Sequence, residues 1–162
     1  MEKLNRYKHS FWRVPLIALI ASFLYTPLYV RIVLRFGVIE PGVIDDAVSL
    51  LTSAGLLVAI VVLGGVVLLR KQTKKEIFVS AAILFTYGFL LMAMQLLTNS
   101  TTGPAAVVFM YLSKPLEWTG FFAEFYLYLE KHFEISLPII GWLRYLAPFL
   151  FVLFAKRTAT EE

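Results

Sequence analysis

Four charged side chains stand inside otherwise apolar sequence in the last third of the chain: Lys114, Glu117, Glu124 and Arg144. Glu117 and Glu124 are seven residues apart, so a helix through them carries both carboxylates on one face, and Lys131 extends that stripe by another seven. Two carboxylates on one face could move a proton at a substrate, hold a solute between them, or pair with a buried cation. Arg144 is a candidate for that cation, since a lone Arg at the centre of a bilayer costs about 2.5–3.5 kcal/mol on insertion scales and demands a partner. Pro115, Pro138, Gly141 and Pro148 interrupt the same region. Interrupted segments with charges at membrane depth are the pattern of a solute site, because freed backbone groups and ionised side chains can meet a ligand there. Lys114, Glu117, Glu124 and Arg144 are therefore the binding candidates. The same residues would serve equally as a kinked, salt-bridged helix pair that only holds the fold.

Other chemistry finds little material. No Gly-x-Ser-x-Gly, Walker loop or His-Glu-x-x-His is present, and His9 and His132 lie far apart in the chain. Cysteine is absent, which excludes disulfides, thiolate catalysis and thiolate metal sites. No metal and no cofactor is expected. The remaining enzymatic reading is a glutamate pair acting on a lipid. Arg31 and Arg35, one helical turn apart, form a second candidate site for a lipid headgroup or another anion; loose pairing with Glu40, Asp45 or Asp46 would explain them as well. Asn99-Ser100-Thr101 matches a glycosylation acceptor but abuts an apolar run, and is discounted.

The elements that must position these residues are membrane helices. The 162-residue chain is 59% hydrophobic and 16% charged, too little polar surface to cover a globule in water. It reads as a single membrane-embedded, all-α domain over 1–162. The run 47–69 has no charged residue, nor does 77–97, and at 1.5 Å per residue each crosses a hydrocarbon core about 30 Å thick. The loop 70–76 between them holds four cations, and a further four lie in the first 13 residues, which places the loop and the N-terminus in the cytoplasm. The formal charge of +4 is explained by those span-end clusters, so nucleic acid is not an expected partner. The region 14–36 is an uncleaved first span with no small-x-small cleavage site after it. Ala18, Ser22, Tyr25 and Tyr29 line one face of it, suited to packing on another helix. Pro41-Gly42 makes the turn that follows, and Asp45 can cap the second span. Gly55 with Ala59, and Gly64 with Gly65, mark places where helix backbones can approach.

Two structures fit the remainder. In one, 104–129 is a fourth span and 135–154 a fifth. In the other, 104–113 dips into the membrane, 116–131 lies along the outer interface, and 135–154 is a fourth span ending inside at Lys156-Arg157. Antiparallel packing of 104–129 on 135–154 would bring Glu117 and Arg144 to similar depth, and an ion pair between them would meet the cost of the buried Arg. Five spans are expected on that ground. The expected function is a small non-enzymatic subunit or interaction partner in the membrane; the alternative is a solute or ion transporter using the Glu/Arg cluster, and the third is a lipid-modifying enzyme. Partners would be the bilayer itself, another membrane protein or a second copy.

Overall fold

A computed structural model describes residues 11–98 and 103–155, with the Pro138 side chain left aside. The N-terminal cations Lys3, Arg6 and Lys8, together with His9, the Asn99-Ser100-Thr101 pattern and Lys156-Arg157, lie outside the described residues. The first helix, α1 (Arg13–Phe36), takes Pro15 in its first turn, where the missing N–H is not needed, and accommodates Pro27 without ending. A short antiparallel hairpin follows, β1 (Val38–Glu40) on β2 (Val43–Ile44), and Gly42 supplies the positive φ of +87° that its turn requires. Asp45 caps α2 (Asp46–Leu63) as expected, its carboxylate accepting from the Ala47 N–H at 2.8 Å and the Val48 N–H at 3.4 Å. The same rod continues through a π-helical segment, Gly64–Leu69. After the basic loop, a capping box starts α3 (Lys74–Thr98): Thr73 N–H donates to Glu76 at 2.9 Å and Glu76 N–H to the Thr73 hydroxyl at 3.3 Å.

These three rods, Arg13–Phe36, Asp46–Leu69 and Lys74–Thr98, are long and apolar enough to cross a membrane. The expected fourth and fifth spans are broken instead of continuous. Residues 103–133 form α4 (Gly103–Leu112), a 3₁₀ segment (Lys114–Thr119) and α5 (Phe121–Phe133). Pro115 has no N–H to continue the α-helical ladder, and the chain turns on the 3₁₀ segment before α5 begins. Glu134, in the left-handed region at φ 54°, ends α5. The last stretch divides into α6 (Pro138–Leu143) and a second 3₁₀ segment (Ala147–Phe154).

The core shows where these pieces sit against the rods. Val14, Ile17, Ala18, Ala21 and Tyr25 of α1 meet Leu57 and Val61 of α2, Ile77, Ala81 and Leu84 of α3, and Leu116, Trp118, Ala147 and Phe151 of the 3₁₀ segments. Close approaches fix the register. A Cβ on Gly88 would stand 2.6 Å from the Tyr145 ring and 2.9 Å from Leu116; one on Gly64 would stand 2.9 Å from both Ile17 and Phe151. Phe154 fills the space beside Gly65. Gly64 and Gly65 are thus contact points, whereas Gly55 faces open space and Ala59 is exposed. At the start of α1, the Ser80 hydroxyl accepts from Val14 N–H at 3.1 Å and donates to the Phe11 carbonyl at 2.8 Å, tying that end to the first turns of α3.

Candidate functional site

The four candidate residues divide between two places. Glu117 and Glu124 both face α1 although the 3₁₀ segment interrupts the helix assumed to carry them. One Glu117 oxygen accepts from the Thr26 hydroxyl at 2.6 Å and from the Lys114 ammonium at 2.5 Å. Glu124 accepts from the Tyr29 hydroxyl at 2.9 Å on one oxygen and from the Ser49 hydroxyl at 2.8 Å on the other, which brings those two hydroxyl oxygens into contact. Lys131 continues the line by pairing with Asp46 at the start of α2, and His132 reaches the same carboxylate oxygen at 3.2 Å. The stripe at 117, 124 and 131 is therefore the surface that attaches the hairpin 103–133 to α1 and α2. Its hydrogen bonds to ionised groups are of the kind worth about 1.5–3 kcal/mol when buried.

The small polar face of α1 explains why the hairpin fits there. Ala18, Ser22 and Tyr25 are buried and Tyr29 is half-buried. The Ser22 hydroxyl accepts from Trp118 N–H at 3.3 Å, which satisfies a backbone donor that the 3₁₀ break leaves over. Gly120 admits the Tyr25 hydroxyl, which a Cβ there would meet at 2.5 Å. Tyr25 stacks on Tyr29 with ring centroids 5.7 Å apart.

Arg144 lies elsewhere, and the expected Glu117–Arg144 ion pair is not formed. Its Nε is buried without an acceptor. Its guanidinium carbon lies 5.6 Å from the ring centroid of the adjacent Tyr145. With Tyr145, Gly88, Gln95, Ser113 and Leu116 it lines a cavity of about 240 Å³ between α3 and α4. The expectation of a pair assumed two continuous antiparallel helices, in which equal distance from the turn means equal depth and a common face. The break from Lys114 to Thr119 turns Glu117 toward Thr26 instead.

Arg31 and Arg35 lie one turn apart in the last turns of α1. Arg31 is exposed, and the Arg35 guanidinium lies 5.5 Å from the centroid of the Phe36 ring. Among the described residues neither forms an ion pair with Glu40, Asp45 or Asp46; Asp45 is engaged as a cap and Asp46 by Lys131 and His132. No group of three metal-ligating side chains converges among the described residues.

No family model, curated protein or solved structure matches this chain. The chemistry of the site rests on its own geometry. Glu124 engages both carboxylate oxygens with hydroxyls and Glu117 engages one oxygen with Thr26 and Lys114, so both hold helices together. Arg144 lines its cavity without an ion-pair partner among the described residues. Ser49 and Thr26 were missed as partners for the glutamates, and Ser113 and Gln95 as neighbours of Arg144. Their signal in the sequence was only that of a hydroxyl or amide within an apolar run, which interhelical bonding or water would explain as well.

Proposed function

We propose that this chain is a small multi-pass membrane protein that works by binding, and that it crosses the bilayer four times with 103–133 as a re-entrant hairpin. The depth of the contacts supports the hairpin. Its tip, 113–120, touches Ser22 of α1 through Trp118 and Gly88 of α3 through Leu116, both well inside their rods. Thr98 and Asp46 mark the opposite ends of those rods from the basic loop; α4 descends from the first of these ends and α5 climbs back to the second, where Lys131 meets Asp46. The last stretch then runs past Gly88 to Gly65, next to the 70–76 loop. Six α-helical residues followed by a mostly 3₁₀ stretch extend about 30 Å, enough to cross. The cations of the basic loop favour the cytoplasm for that side. Irregular backbone at membrane depth is tolerated where protein buries it or where it lines a cavity, and the hairpin tip meets both conditions.

One observation carries the binding role: Arg144, a cation at membrane depth with no acidic partner among the described residues, lines a cavity, while the carboxylates of Glu117 and Glu124 are engaged elsewhere. Catalysis by Glu117 and Glu124 would require their staples to open. The experiment is depth measurement. A fluorophore on Leu112→Cys in this cysteine-free chain should be quenched by nitroxides carried on acyl chains and ignored by water-soluble quenchers; the reverse would remove the re-entrant hairpin.

A second reading, a subunit of a larger membrane assembly, is favoured by the bare faces of the rods. Only 33%, 28% and 28% of the most apolar windows of α1, of the rod 46–69 and of α3 are buried within the chain. Lipid or a partner helix would cover the remainder. Isolation in mild detergent discriminates: a stoichiometric partner or a defined oligomer supports the assembly, and a monomer in a lipid belt opposes it.

A further inference from the structure

We infer that the cavity at Arg144 is a binding site for a small anionic oxygen group, a carboxylate or phosphate, which completes the guanidinium's hydrogen bonding at membrane depth. The inference deepens the binding role proposed above and rests on it. Arg has five N–H donors and no acceptor, and it stays protonated even where burial is costly. The buried Nε has no acceptor, although polar groups buried without partners are rare and costly. Among the described residues no acidic side chain lines the cavity. The nearest candidate by sequence, Glu117, is already held by Lys114 and Thr26. An anionic oxygen entering the cavity from outside the chain would give the guanidinium the charged acceptor it lacks there.

The cavity's size and walls suit such a group. At about 240 Å³ it falls below the roughly 300–1,000 Å³ range of drug-sized pockets, and at about 30 Å³ per water it has room for one compact head together with several waters. Gln95 adds an amide on the side of α3, the Ser113 hydroxyl donates to the Met110 carbonyl at 2.9 Å and is not a donor to the cavity, and Leu91, Met92 and Phe109 supply apolar walls that strengthen a charge-assisted bond. The planar guanidinium fork matches the paired oxygens of a carboxylate or phosphate better than a point charge would. Gln95 stands within one turn of the end of α3 at Thr98, so the cavity connects toward the membrane surface from which either a lipid headgroup or a dissolved anion would enter.

The test uses the full chain, purified in phospholipid-free detergent, with orthophosphate as one probe and nanodiscs of phosphatidylglycerol against phosphatidylcholine as the other. Saturating ligand should raise the melting temperature by ~5 °C or more, as expected for a ligand that binds only the folded state. A rise with orthophosphate identifies a free anion; a rise only with phosphatidylglycerol identifies a headgroup. Arg144→Gln should weaken the response about 30-fold or more, and Arg144→Lys should retain part of it. Gln95→Leu, which keeps the guanidinium, should weaken binding about 3- to 10-fold and keeps the inference testable if Arg144→Gln does not fold. No response to either probe in the unaltered protein would overturn the inference, as would an undiminished response in Arg144→Gln or in Gln95→Leu. Quenching at Leu112→Cys reports the hairpin separately: a tip in water with a persistent anion response would reject the membrane depth alone, and a tip in the acyl region with no response would reject the anion site alone.

Discussion

The Tyr29 hydroxyl donates to the Glu124 carboxylate at 2.9 Å across 95 residues of sequence. Ser49 donates to the other oxygen of the same carboxylate, so three elements that are remote in the chain meet at one charge. The bond is also the point where α5 is attached to the first two rods, and its removal has a definite signature. Tyr29→Phe and Glu124→Gln should each lower thermal stability in detergent by about 1–2 kcal/mol, and the double mutant should lose less than the sum. The coupling should fall near the measured range for interhelical hydrogen bonds in membranes, about 0.6–1.7 kcal/mol. Strict additivity in thermal unfolding would contradict the bond.

Glu117 and Arg144 should behave as strangers. They belong to different clusters, one bonded to Thr26 and Lys114 and the other facing the cavity beside Gly88. Glu117→Gln combined with Arg144→Gln should be additive within about 0.3–0.5 kcal/mol. Glu117→Gln combined with Thr26→Val should instead be coupled, because the first removes the charge from the hydrogen bond that the second deletes. Recovery of stability in the Glu117/Arg144 double mutant would restore the ion pair that sequence spacing suggests.

The sequence was legible where a single local rule acted. The apolar lengths of the first three rods, the turn at Pro41-Gly42, the Asp45 cap and the polar face of α1 at Ser22, Tyr25 and Tyr29 all follow from nearest neighbours along one helix or turn. The shared direction of Glu117 and Glu124 was also legible, although their partners were not. What escaped was the path of the chain after Thr102. Pro115 and Pro148 announce a break, but a break does not say whether the helix kinks onward or reverses, and that choice depends on whether Ser22, Thr26, Tyr29 and Ser49 offer enough donors and acceptors to hold a reversed segment. The partner of Arg144 was assigned from depth along ideal helices, and 3₁₀ geometry invalidates that measure.

The glycines give a packing test with an internal control. Gly65 leaves room for Phe154, so Gly65→Ala should overpack that contact and cost about 1–3 kcal/mol, with partial relief in Gly65→Ala combined with Phe154→Ala. Gly55 faces open space, and Gly55→Ala should be neutral or stabilising by up to about 1 kcal/mol. Thermal unfolding of the four proteins in one detergent compares them directly. Equal effects at Gly55 and Gly65 would remove the final segment from its place against α2.

Side-specific labelling tests the central claim, four crossings with a re-entrant hairpin, most directly. In the cysteine-free chain, Lys74→Cys, Lys131→Cys and Ala155→Cys are exposed in turn to an impermeant thiol reagent on intact cells and again after lysis. Lys131→Cys should label without lysis, because α5 returns to the outer ends of α1 and α2, and Lys74→Cys and Ala155→Cys should label only after lysis, because Phe154 lies beside Gly65 on the side of the basic loop. A protected Lys131→Cys together with an Ala155→Cys that labels on intact cells would contradict the account and establish five spans.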